Sequence, residues 1–150
     1  MPFARIRLPL IAIVSLVLGA AVLASGCRST EIRFVEDDQA YDAESVMQLF
    51  DVAVPASLAS ADVRDAARLR QAALTDLRGQ GGVSAEAAEL LTATFTAATI
   101  GVPYYVERAT YEGEDAWLVL EARGPKDGTL SGRRLWVLRL DGDVILSTLL

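Results

Sequence analysis

The chain has no histidine and one cysteine, Cys27. These two shortages exclude more chemistry than any motif present supplies. A single cysteine cannot close an internal disulfide. Without histidine, the usual zinc ligand sets, haem ligation through imidazole and Ser-His-Asp catalysis all lose their parts. Positive charge is also scarce, with 14 Lys and Arg against 20 Asp and Glu, for a net charge of −6. Nucleic-acid phosphates need a basic stripe, and anionic lipid headgroups attract basic segments. Composition therefore speaks against nucleic acid and against adsorption to lipid heads, and no cofactor or metal is expected.

Two local patterns hint at ligand sites but lack the context such sites need. Gly79-Gln80-Gly81-Gly82 is glycine-rich, yet it has no following Lys and no strand–loop–helix setting, so a helix-ending turn explains it better than a phosphate loop. Glu36-Asp37-Asp38 lacks the ligand spacing and glycine of a calcium loop. It reads as a solvated, self-repelling stretch. No internal repeat is present.

What the chain does have is a distinctive beginning. Met1 to Arg7 carries Arg5 and Arg7, Leu8 to Leu23 is apolar apart from Ser15, and Ala24, Ser25 and Gly26 precede Cys27. A basic start, an apolar middle and a small-residue end form the pattern of a secretory leader. Leu23-Ala24-Ser25-Gly26-Cys27 resembles the lipobox of bacterial lipoproteins. One departure is Ala24, three before the cysteine, where that family more often has Leu.

The resemblance implies that the Cys27 thiol receives a diacylglycerol and that a dedicated peptidase cuts between Gly26 and Cys27. Two acyl chains supply the stable anchoring that one cannot. An uncleaved span is the alternative, although the apolar run is short against the roughly 20 residues a span requires. Arg5-Ile6-Arg7 is not a twin-arginine pair, so the general secretory route is favoured. The expected location is outside the cell membrane or in the outer membrane, held by the lipid on Cys27. With Arg5 and Arg7 removed, 12 basic side chains would face 20 acidic ones, a net charge of −8.

The sequence predicts three regions: a leader over 1–26, a lipidated acidic tether over 27–40 with a short strand near Ile32 to Val35, and one domain over 41–150. Asp42 caps a short helix running to Phe50, whose apolar face is Val46, Leu49 and Phe50. Ser60 or Asp62 caps a longer helix that Gly79 stops. Ser84 caps a third helix, with Glu86 favourably placed near its positive end. The last two helices, joined by a short loop, form an antiparallel hairpin.

After Gly101 the pattern turns to strands: Tyr104 to Tyr111, Ala116 to Arg123, Arg133 to Leu140 and Asp143 to Leu149. Asp141-Gly142 is a strong two-residue hairpin signal. It would pair Leu140 with Asp143, Leu138 with Ile145 and Trp136 with Ser147. The final strands are apolar on both faces, so the sheet is covered on both sides or curls around a core. The fold expected is α+β, an antiparallel helical hairpin plus a short N-terminal helix packed on a four-stranded antiparallel meander. It is similar in outline to cone-shaped NTF2-like domains and to BamE-type outer-membrane lipoproteins, at fold level only.

Within that sheet, a turn centred on Gly113-Glu114 sets Val106 opposite Glu121. Glu107 and Glu121 then lie on opposite faces, which does not suit a paired-carboxylate hydrolase. Arg108, diagonal to Glu121, should form a cross-strand ion pair with it. Tyr104, Arg108, Trp117 and Arg123 share one face, left partly free if the helices pack on Ala109, Leu118, Leu120 and Ala122. Tyr, Trp and Arg are common interface anchors, so this face is the candidate binding surface for an envelope protein partner. The function expected is a non-enzymatic, membrane-anchored binding or accessory module. The alternatives are a small-ligand binder with a cavity in a curved NTF2-like sheet and, less favoured, a hydrolase using carboxylates alone.

Overall fold

A computed structural model describes residues 31–95 and 101–150. The leader and Cys27 lie outside the described residues. In chain order the elements are strand β1 (Arg33–Tyr41), a 3-10 turn (Ser45–Asp51), a one-turn helix α1 (Ala56–Ala59), a 3-10 turn (Val63–Asp65) and helices α2 (Ala66–Gly79) and α3 (Gly82–Thr94). Strands β2 (Val102–Tyr111), β3 (Glu114–Arg123), β4 (Gly132–Arg139) and β5 (Val144–Leu149) follow. No helix among the described residues is long and apolar enough to cross a membrane.

The protein is α+β, with one mixed sheet of five strands in the order β1-β2-β3-β4-β5. β2 to β5 form the antiparallel meander, and β1 adds a parallel strand on β2. The segment expected as a tether thus supplies the fifth strand. Its apolar residues Phe34 and Val35 pair with Val106 and Glu107 and pack half-buried against the core. Glu36, Asp37 and Asp38 are accommodated by a register shift between Glu36 and Ala40.

The helices begin and end for readable reasons. Asp62 accepts a hydrogen bond from the Arg64 amide and caps the 3-10 turn that leads into α2. α2 ends at Gly79, and Gly81 and Gly82, with φ of 77° and 55°, make the tight turn into α3. α3 starts two residues before Ser84, whose hydroxyl donates to the Gly81 carbonyl instead of capping. The region after Asp42 is a 3-10 turn, not an α-helix; Asp42 still organises it by accepting from the Ser45 amide at 2.7 Å.

Two hairpins differ from the expected turns. Tyr111 pairs with Glu114, so the first turn is Glu112-Gly113, with φ of 51° and 84°. Positive φ at both positions defines the hairpin-favoring type I′ geometry. Glu112 tolerates it because its amide donates to the Tyr41 carbonyl and its carboxylate accepts from the Ala43 amide. The last hairpin is a three-residue loop. Gly142 donates to the Arg139 carbonyl and has φ of 98°, Asp141 does not have positive φ, and Leu138 pairs with Val144 across a register shift. Trp136 pairs with Ser147 as expected.

Both faces of the sheet are covered. α2 and α3 lie on the face of Trp117, Val119 and Glu121: Arg70 of α2 reaches Glu121 at 2.8 Å, and Phe95 at the end of α3 stacks against Trp136 with centroids 4.8 Å apart. The opposite face carries Glu107, Leu118, Leu120 and Leu135. The Ser45–Asp51 turn lies on that side, where the Phe50 carbonyl accepts from the Arg133 guanidinium. The central β3 is therefore buried on both sides from Ala116 to Ala122.

Candidate functional site

The first-hairpin register is shifted by two residues from the one expected, with Arg108 opposite Trp117 and Val106 opposite Val119. A shift of two preserves which side chains share a face. Arg108 and Trp117 do lie together, and Ala109, Leu118, Leu120 and Ala122 lie on the other face. The helical hairpin, however, packs on the Trp117 side. Trp117 is buried at 3% exposure, with Phe34 at 6.5 Å and the Arg108 guanidinium over its ring at 5.9 Å. The aromatic face expected to be open is core.

Tyr104 parts from this group. Pro103 pairs with Glu121 and Tyr105 with Leu120, so Tyr104 is the extra residue of a bulge. A bulge sets two residues against one, and it is also where an interior strand tolerates proline. The Tyr104 hydroxyl donates to the Val52 carbonyl at 3.3 Å, away from Trp117, and burial pushes its pKa up to about 12. Arg123 is half-buried at the end of β3, opposite Gly132. Of the four residues, the structure brings only Arg108 and Trp117 together.

The expected Arg108–Glu121 pair does not form. Arg108 lies 3.8 Å from Asp115. Glu121 is claimed from the other direction: Arg70 donates to it at 2.8 Å and the Trp136 indole donates at 2.8 Å. The same guanidinium donates to the carbonyls of Gly101 and Leu91 and stands 5.5 Å over the Phe95 ring. Gly101 is required here, because a Cβ would fall 2.3 Å from a Glu121 oxygen. A fully partnered carboxylate of this kind is a fastener between α2, β3 and β4.

Glu107 is the other fully buried acid, on the opposite face as expected. It accepts from the hydroxyls of Tyr105 at 2.7 Å and Tyr41 at 3.1 Å. Burial raises its pKa above the ordinary carboxylate value, with the two tyrosine bonds opposing and Asp37 adding to the rise. Burial, then the neighbouring carboxylate, also pushes both tyrosines upward. Chemically, this is an acid that burial inclines to keep its proton, against two hydroxyl donors that favour the carboxylate.

Among the described residues, open grooves lie beside these clusters. One, about 780 Å³, has Ile32, Val52, Pro55 and Tyr104 along it, with Glu31, Arg33 and Asp51 as its charges. A second, about 430 Å³, sets Glu36, Asp37, Asp38 and Asp115 around Arg108. A third, about 390 Å³, runs between α3 and the sheet past Glu86, Glu89, Leu90, Arg108 and Trp117. Among the described residues no group of three or more acidic or cysteine side chains is disposed to hold a metal ion.

The sequence carried one unused signal for the buried pair. Arg70 interrupts the apolar stripe of Ala66, Ala73, Leu74 and Leu77 at helical spacing, and all five are buried. A cation on a core stripe requires an acid opposite it. Nothing comparable marked Tyr41, which reaches Glu107 only through the parallel pairing of β1.

The class defined is an α+β domain with a mixed sheet covered on both faces. Comparisons with known protein families, curated proteins and solved structures give no match.

Proposed function

We propose that this is an exported, lipid-anchored protein of the cell envelope whose domain acts by binding a partner at the membrane surface, not by catalysis. The observation that carries the reading is Leu23-Ala24-Ser25-Gly26-Cys27 at the end of a basic and then apolar leader. The leader is removed before Cys27, and lipid on that thiol holds the domain close to the membrane.

Several features of the domain support this reading. Its two fully buried acids are on opposite faces of the sheet and each is engaged locally, one by Arg70 and Trp136, the other by tyrosines. They do not converge on a common substrate bond as a carboxylate pair must. The grooves described above, formed among the described residues, are open, unlike the closed cavities that bury most of a small ligand. The excess of acidic over basic side chains disfavours nucleic acid.

The test is mass spectrometry of the mature N-terminus together with fractionation of cells expressing the full chain. The expected result is a diacylated Cys27 as first residue, and an unprocessed precursor for Cys27→Ala. An unmodified Cys27, or Arg5 still attached, overturns the proposal.

A further inference from the structure

The two edges of the sheet are built differently. β1 carries Glu36, Asp37 and Asp38 across a register shift. Charge and irregularity are the features by which edge strands resist pairing with another chain. β5 has no charged side chain from Val144 to Leu149. Among the described residues, four of the five exposed large hydrophobic side chains (Leu140, Val144, Leu149 and Leu150) belong to β5, its turn or the residue after it. Exposed apolar surface is thus concentrated at one edge.

Among the described residues, that edge also has unpaired backbone groups. Arg133 and Leu150 exchange both backbone hydrogen bonds, at 3.2 and 2.9 Å. Such pairs alternate along an antiparallel ladder, so Ser147 and Leu149 turn their backbone N–H and C=O groups away from β4. Ser147 is exposed.

We propose that β5 pairs antiparallel with β5 of a second copy, about a twofold axis through Ser147, joining two five-stranded sheets into one. The strand is nearly self-complementary about that point. Ile145 faces Leu149 of the second copy, Leu146 faces its Thr148, and Ser147 faces itself. Charge favours this occupant. Two domains that are each strongly acidic approach here along an uncharged strand, whereas pairing through β1 would bring acids together. An isologous contact closes at two copies, whereas β5 on β1 would propagate without closing, and the acids and irregularity of β1 oppose it.

The experiment is disulfide trapping with the full chain in membranes of expressing cells. Directly opposed Cα atoms in a hydrogen-bonded pair are about 5.5 Å apart, within disulfide reach. Ser147→Cys should give, on mild oxidation, a species of doubled mass that reductant reverses. Gln39→Cys, on the β1 edge, and the unsubstituted chain with Cys27 alone should not. Adding Leu149→Lys to Ser147→Cys should remove most of the doubled species while thermal melting stays near that of the single variant. No doubled species from Ser147→Cys overturns the proposal. So does equal yield from Gln39→Cys, which would indicate random collision. An adduct of another mass also overturns it, because the edge would then take a different protein.

Discussion

Arg70 and Glu121 meet at 2.8 Å between α2 and β3, with side-chain exposures of only 10% and 1%. Removing one partner leaves the other charge buried and uncompensated, which typically costs about 3–5 kcal/mol. Arg70→Met and Glu121→Leu should each destabilise on that scale in chemical denaturation. The double variant should be much closer to the natural chain than the sum of the two, since a buried pair often exchanges for apolar side chains with little loss. Additive losses would show that the two residues act independently.

Glu107 sets a pH dependence of opposite sign to the usual carboxylate. Its folded-state pKa is raised above the ordinary value of 4.5, chiefly by burial. In the window between the unfolded and the raised folded value, the native state holds more protons than the unfolded one. This group's contribution to stability is therefore greatest below that window and falls as pH rises through it. Glu107→Gln keeps an acceptor for Tyr41 and Tyr105 but cannot ionise. Urea midpoints of the variant relative to the natural chain should rise from pH 4 upward and then level off. A difference independent of pH would contradict the assignment.

Gly142 and Gly113 both hold positive φ, at 98° and 84°, but only Gly142 is crowded. A Cβ at Gly142 would lie 2.6 Å from Thr94 Oγ1 and 3.3 Å from Leu90 Cδ1, whereas one at Gly113 meets nothing within 4 Å. Gly113→Ala should cost only backbone strain, on the order of 1 kcal/mol. Gly142→Ala should cost more, because the Thr94 and Leu90 side chains of α3 must also give way. Equal losses would mean that the last turn does not bear on α3.

Trp117 distinguishes a covered sheet from an open one. As a core side chain packed by Phe34 and Arg108, its replacement by Ala should destabilise by about 3–5 kcal/mol. Tyr104→Phe should cost only about 1 kcal/mol, the value of one hydrogen bond to the Val52 carbonyl. Thermal or denaturant unfolding checks both. A loss below about 1 kcal/mol for Trp117→Ala, as at exposed positions, would place the helices elsewhere.

Local pattern was enough to read the two long helices and the four antiparallel strands. The stripe of Leu74, Leu77, Ala87 and Leu91, stopped by Gly79, marked the helical hairpin, and the apolar runs after Gly101 marked four antiparallel strands. The alternation of side chains put Glu107 and Glu121 on opposite faces even though the turn was placed one residue late, because that slides the pairing by two and strand faces repeat every second residue. The proposed lipidation of Cys27 rests on linear sequence alone, since it would depend on an extended segment and not on a fold.

Tertiary structure decided what linear order could not. Parallel pairing of β1 with β2 joins residues some 70 positions apart, as Arg33 does with Tyr105, and no local period announces it; the acidic run therefore read as a tether. Which sheet face received the helices depended on Arg70 finding Glu121, a contact across 51 residues. Once that buried charge was satisfied, Trp117 had to be covered. The bulge at Tyr104 likewise came from fitting Pro103 into an interior strand, and it turned a tyrosine that alternation had assigned to one face toward the Val52 carbonyl on the other.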